Sequence, residues 1–277
     1  MRNQMKLPFT RSALAATVAL LLLAAPTAAH AGADQNDDQP TIILVHGAWA
    51  GPSSWDSVAQ QLREDGFRTI IPTLGLTSLI GDVTTVDTVL NQTPGKKILV
   101  GHSYGGAVIS GASFARSDVS ALVYSAAFVP DANDSLLSLG TGFNPSGVVA
   151  HFIWTGVPFA LGSLATIAPA FFPQFFAQDL PAAQAAALAA AQRPIAFIPV
   201  FVTPSGPVGW HTIPSWYQIS GADRMIDPAE ERFMAARAGA TTIEFSTASH
   251  VGGITLYARQ FTHLIERAAE ATAENEQ

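Results

Sequence analysis

The segment Ile98-Leu99-Val100-Gly101-His102-Ser103-Tyr104-Gly105-Gly106-Ala107-Val108-Ile109 passes from an apolar triplet, through a Gly-x-Ser-x-Gly turn, into a helix-forming stretch. The triplet suits a strand buried on both faces. Glycines two positions either side of Ser103 remove the Cβ atoms that would hold strand and helix apart. A serine at the apex of so tight a turn is lifted above the sheet on strained backbone, within reach of a distant loop. That is the placement of a nucleophile.

On both sides of this turn, short apolar runs alternate with helical patterns. This predicts an α/β fold, a mostly parallel sheet with helices on both faces. Strands are expected at 41–45, 69–72, 97–100, 121–125, 216–220 and 242–245, and helices at 55–65, 79–91, 104–115, 229–238 and 256–271. The last helix carries Phe261, Leu264, Ile265 and Ala268 at the spacing of a core-facing stripe. Pro228 stands near the start of the helix before it, where a proline costs no hydrogen bond. The interval from about residue 130 to 214 breaks the rhythm. It is rich in Phe, Ala, Pro and Gly, includes Phe171-Phe172-Pro173-Gln174-Phe175-Phe176, and lies between two sheet strands. A helical cap that excludes water and supplies most of a substrate pocket is expected there.

The chain has 277 residues, 48% hydrophobic and 13% charged, enough for one domain with a large core. Arg2, Lys6 and Arg11 precede an apolar-leaning run from Ala13 to Ala25, and Ala29-His30-Ala31 places small residues where a signal peptidase reads. Residues 1–31 are thus expected to be a signal peptide, with release into the periplasm or medium. The run is shorter than the ~20 apolar residues of a spanning helix, and no cysteine is available for a lipid anchor, so no stable membrane anchor is expected. Residues 32–39 read as a disordered spacer and 40–272 as the folded domain. Cleavage takes three basic and no acidic residues from 14 Lys+Arg and 21 Asp+Glu, leaving 11 against 21, a formal charge of −10. Such a surface argues against nucleic acid and anionic lipid as partners. With no cysteine, disulfides, thiolate metal sites and thiol nucleophiles are excluded.

The turn around Ser103 resembles the nucleophile elbow of the α/β-hydrolase superfamily, whose catalytic residues follow the chain order Ser, acid, His. A serine hydroxyl becomes a competent nucleophile when a histidine takes its proton and a carboxylate fixes that histidine's tautomer. Asp223 falls just beyond the strand ending at Ser220, on the carboxyl edge where active sites of such sheets gather. Asp227, beside Pro228, reads as a helix cap. The next strand leads to His250, the expected base. Asp131, after the strand ending near Phe128, is the second candidate for the acid. His151 and His211 lie in the cap, His263 on a helix surface, and His102 flanks the nucleophile without being placed to deprotonate it. The first strand ends in His46-Gly47-Ala48-Trp49, whose glycine lets the loop fold back over Ser103. Backbone N–H groups of Ala48 (with Trp49 the alternative) and Tyr104 are expected to form the oxyanion hole. His46 reads as a brace for that loop.

Taken in order, His46-Gly47-Ala48-Trp49, the elbow, Phe128-Val129-Pro130, Gly221-Ala222-Asp223 and Ser249-His250 narrow the resemblance to small bacterial carboxylesterases akin to plant methylesterases and hydroxynitrile lyases. The similarity spans about residues 40–270. It implies hydrolysis of a small or medium apolar ester through an acyl-enzyme, with no metal or organic cofactor. The lyases of that group carry lysine directly after the catalytic histidine; this chain has Val251, which favours hydrolysis. Lyase, acyl-transfer and cofactor-free dioxygenase chemistry, or a non-catalytic small-ligand receptor, are the alternatives the same fold offers.

Overall fold

Thr41-Ile42-Ile43-Leu44-Val45 is apolar or β-branched throughout, and as β1 (Thr41–Val45) it is buried at every position. The computed structural model to which it belongs describes Met1 and residues 39–274. The expected signal peptide and most of the spacer therefore lie outside the described residues. After β1 come α1 (Asp56–Glu64), β2 (Thr69–Ile70), α2 (Leu79–Gln92), β3 (Lys97–His102), α3 (Tyr104–Ala112) and β4 (Val119–Ser125). The six strands of the main sheet are completed, beyond the cap, by β8 (Ser215–Ser220) and β9 (Thr241–Phe245), with α7 (Pro228–Arg237) between them and α8 (Ala258–Glu274) after them.

The sheet order is β2-β1-β3-β4-β8-β9 and every pairing is parallel. From β1 the chain moves outward to β2, returns to β3 on the other side of β1, and then proceeds in the opposite direction. The reversal makes a switch point between β1 and β3, and at such a point the loops at the carboxyl ends part to leave a crevice. Register brings those ends level: Val45 pairs with Gly101, and His102 with Ser125.

Burial on both faces explains the apolar runs of β1, β3 and β4. On one face α8 presents Phe261, Leu264, Ile265 and Ala268, all fully buried, the stripe its spacing predicts. Phe261 stacks on Trp55, with ring centroids 6.2 Å apart. Asp227 caps α7 through the Ala229 N–H, with Pro228 as its first residue. β2 stops at Ile70 rather than Pro72; a proline has no N–H to donate, which suits the end of an edge strand.

Between β4 and β8 lies the cap. Its helices are α4 (Leu136–Leu139), α5 (Phe172–Phe176) and α6 (Ala182–Ala190), but the expectation of a helical cap needs an addition. It also holds a three-stranded antiparallel sheet of β5 (Phe152–Thr155), β6 (Leu164–Ile167) and β7 (Ile195–Ala196), in the order β5-β6-β7. The alternating half-buried pattern of Phe152-Ile153-Trp154-Thr155, aromatic and β-branched, suits a strand with one face on the core. Among the described residues no helix is long and apolar enough to cross a membrane.

Candidate active site

Ser103 caps the amino end of α3 at φ 54° and ψ −123°, a conformation that a non-glycine residue adopts only under constraint. The constraint is packing. A Cβ on Gly105 would run into the carbonyl oxygen of Val45, and one on Gly47 would come 2.8 Å from the Cβ of Ser103. The elbow therefore presses against the end of β1, and the loop after β1 presses against the serine. Asp82, near the start of α2, ties the elbow to the segment after β2: its carboxylate accepts the N–H groups of Gly75 and Leu76 and the phenolic O–H of Tyr104, the last at 2.8 Å.

From that strained position Oγ of Ser103 lies 2.8 Å from Nε2 of His250, whose Nδ1 lies 2.6 Å from Oδ2 of Asp223. A carboxylate only accepts, so Nδ1–H donates to Asp223 and Nε2 is left to accept the serine proton. All three residues are buried. Asp223 is itself fixed, its Oδ1 accepting the N–H groups of Met225 and Ile226 at 2.6 and 3.1 Å. The strand ends that carry acid and base are tied together by the Ala222 N–H, which donates to the Ala248 carbonyl at 3.0 Å.

Three residues to which the sequence reading gave no such role hold His250. Nε2–H of His102 donates to the His250 carbonyl at 2.9 Å. Asp179 of the cap accepts the Ser249 N–H at 2.7 Å, and the Phe176 ring meets the imidazole edge-on, with centroids 4.8 Å apart. Burial, together with the nearby His250, pushes the His102 pKa down to about 3, so His102 stays neutral beside His250. Contacts across 148 and 70 residues leave no mark on local sequence pattern. Only the position of His102 inside the elbow hinted at its nearness.

Ala48 is fully buried in the loop after β1, directly after the glycine that touches Ser103. Tyr104 is the first residue of α3, where a backbone N–H has no partner within its helix. Both expected oxyanion residues thus flank the serine. Trp49 has φ 55° and its indole N–H donates to the Ala165 carbonyl at 3.0 Å, pinning the loop to the cap sheet. His46 braces the loop as expected: Nδ1–H donates to the Gly47 carbonyl and Nε2 accepts the Leu74 N–H, while burial lowers its pKa to about 4. Asp131, the second candidate for the acid, is instead at the surface, paired with the exposed His211 at 2.9 Å. His151 stacks on Phe171 at 3.7 Å, and His263 pairs with Glu266.

The Ser103–His250 pair opens on a cavity of about 180 Å³ whose walls are mostly apolar: Trp49, Phe128, Phe152, Phe197, Phe201 and Ile226 among them. One acidic side chain, Glu230, also lines it.

Comparison with known proteins agrees with this frame. Residues 42–262 match the model of the alpha/beta hydrolase family. The chain belongs to that family. Among family relatives, a carbendazim hydrolyzing esterase from Nocardioides sp. (strain SG-4G) is 40% identical over 124 residues. That match covers 40% of this chain and 51% of the relative, so the chain aligns with about half the length of that protein. In structure, polyneuridine aldehyde esterase superposes with a TM-score of 0.72 at 19% identity, covering 83% of this chain and 99% of that one. A pyrethroid hydrolase from Sphingobium faniae JZ-2 gives 0.68 at 22% identity, covering 85% and 99%. At these identities the structural likeness is one of fold.

Proposed function

We propose that this chain is a serine carboxylesterase acting on small to medium apolar esters. The observation that carries the reading is the buried hydrogen-bonded chain Ser103–His250–Asp223 opening on an apolar cavity. Ser103 Oγ attacks the ester carbonyl as His250 takes its proton, and Asp223 stabilises the imidazolium that forms. The N–H groups of Ala48 and Tyr104 receive the developing oxyanion. His250 returns the proton to the departing alcohol; a water, activated by the same imidazole, then releases the acid and regenerates the serine. Val251 in place of a lysine supports hydrolysis over cyanide elimination. The names of the relatives support the same class, and carbendazim itself joins the substrates to be tried.

The test is hydrolysis of p-nitrophenyl acetate, butyrate and octanoate beside a Ser103→Ala control. Turnover that vanishes in the control supports the reading, and a folded wild type inert toward every ester overturns it. We propose further that residues 1–31 direct export and are removed. Mass determination of the protein recovered outside the cytoplasm checks this, an intact Met1 terminus being the contrary result.

A further inference from the structure

Away from the Ser103–His250 pair, the polar groups on the cavity wall are Asn144, Ser146 and Glu230. The first two have partners within the protein. Asn144 donates through its backbone N–H and its side-chain amide to Asp227 at 2.8 and 2.7 Å, and the Ser146 hydroxyl donates to the Arg224 carbonyl at 2.8 Å. Glu230 is different. It is 5% exposed, and its Oε1 is buried with no hydrogen-bond partner among the described residues.

The local sequence offers this glutamate another use. Asp227-Pro228-Ala229-Glu230 has the spacing of a capping box, in which the glutamate would turn back to the N–H of Asp227. Asp227 caps the Ala229 N–H, but Glu230 makes no reciprocal bond and turns to the cavity. Among the described residues no lysine or arginine lines that cavity. Burial, reinforced by the acidic Asp227 and Asp223, raises its pKa to about 7. A buried carboxyl in an acidic field, with an unfilled acceptor, is costly unless a ligand completes it.

We propose that Glu230 is the specificity determinant of this pocket, selecting esters whose non-scissile end carries a basic nitrogen that bonds the Glu230 carboxyl. The inference rests on the esterase reading above for the orientation of the substrate. An ammonium group gives the carboxylate a charge-assisted hydrogen bond. Trp49, Phe152, Phe197 and Phe201 line the same cavity and supply apolar surface for the rest of the substrate. An ester bearing a carboxylate meets like charge and is rejected.

Two isosteric substrate sets test this: methyl benzoates, and benzyl acetates, each with a para methyl, aminomethyl or carboxylate group. The readout is the ratio of kcat/KM for the aminomethyl ester to that for the methyl ester. A ratio of about ten or more is expected in the set that seats the substituted end in the cavity, falling to about one in Glu230→Gln and in Glu230→Leu. A wild-type ratio at or below one in both sets, or one that the variants leave unchanged, overturns the proposal. Binding supplies a second arm that does not depend on turnover. Benzylamine should raise the Tm of Ser103→Ala protein more than benzyl alcohol does, and the added Glu230→Gln substitution should remove the difference. If no ester is turned over while this binding pattern holds, the esterase reading fails and the Glu230 site stands. If esters are hydrolysed and both amine effects are missing, the reverse follows.

Discussion

The main sheet and the cap solve different problems with different materials. In the sheet, β1, β3 and β4 are locked by parallel ladders, shifted once in register between Lys97 and Ile98 at the amino end of β3, and their carboxyl ends carry the loop that touches Ser103, the elbow itself and the support beneath it. Asp223 and His250 follow from β8 and β9, which pair with each other in parallel. The cap has strands of four, four and two residues and a wall of phenylalanines whose rings meet at many angles. Phe197 is 19° from parallel with Phe201, while Phe152 stands at 63° to Phe197. A ladder holds atoms to hydrogen-bond tolerance. Aromatic packing fills space and can be refilled with other side chains at modest cost. Chemistry is therefore expected to reside in the sheet and selection by size in the cap, while selection by charge falls to Glu230 on α7.

The largest effect should come from the residue most remote from substrate in the hydrogen-bonded chain. Asp223→Asn reverses what Nδ1 of His250 is offered, favours the wrong tautomer, and should lower kcat by about 10⁴ with KM little changed. Equal loss in kcat from any single cap phenylalanine would break the division. Next is stability beneath the sheet. Phe261→Ala empties a fully buried site against Trp55 and should cost about 3–5 kcal/mol in denaturant unfolding; well below its melting point the variant should still turn over substrate.

A smaller effect is electrostatic and belongs to the boundary between the two regions. The Glu230 carboxyl has an ordinary value of 4.5 and titrates at about 7 in the fold. Between those pH values the folded chain holds a proton that the unfolded chain has released, so stability is full below about pH 4.5 and declines as pH rises through about 7. The loss is on the order of 3 kcal/mol. Unfolding of wild type and Glu230→Gln from pH 4 to 8.5 checks it: the curves should diverge across that window, and parallel curves would remove the buried carboxyl from the account. The smallest effect sharpens the role of the cap. Phe201→Ala enlarges the cavity and should shift preference toward the octanoate over the acetate by about tenfold in kcat/KM. A fall of kcat alone, with the chain-length profile unmoved, would place Phe201 in the chemistry instead.

What could be read without the structure follows the same division. The places of the Gly-x-Ser-x-Gly turn, of the aspartate after one strand and of the histidine after the next are legible because ladder geometry ties chain position to place in space. The His-Gly pair is legible because close approach demands a missing Cβ, and Gly47 faces Ser103 as expected. Beyond the ladders that link is lost. The cap sheet was hidden because β5 is four residues rich in aromatics that serve equally well as filler, and β7 is two residues. His102 and Asp179 act on His250 from 148 and 71 positions away, at distances no periodicity encodes. Glu230 was masked by its own neighbourhood, since Asp-Pro-Ala-Glu reads as a helix start and gives no sign that the glutamate turns inward.

The most direct test of the central claim is covalent. Protein incubated briefly with p-nitrophenyl acetate, quenched in acid and digested should carry one acetyl group on the peptide containing Ser103. That adduct should accumulate faster than it decays and be absent from His250→Ala protein. Ester turnover with no acyl group on that peptide, or with the acyl group on another residue, would contradict the assignment of Ser103 as the nucleophile.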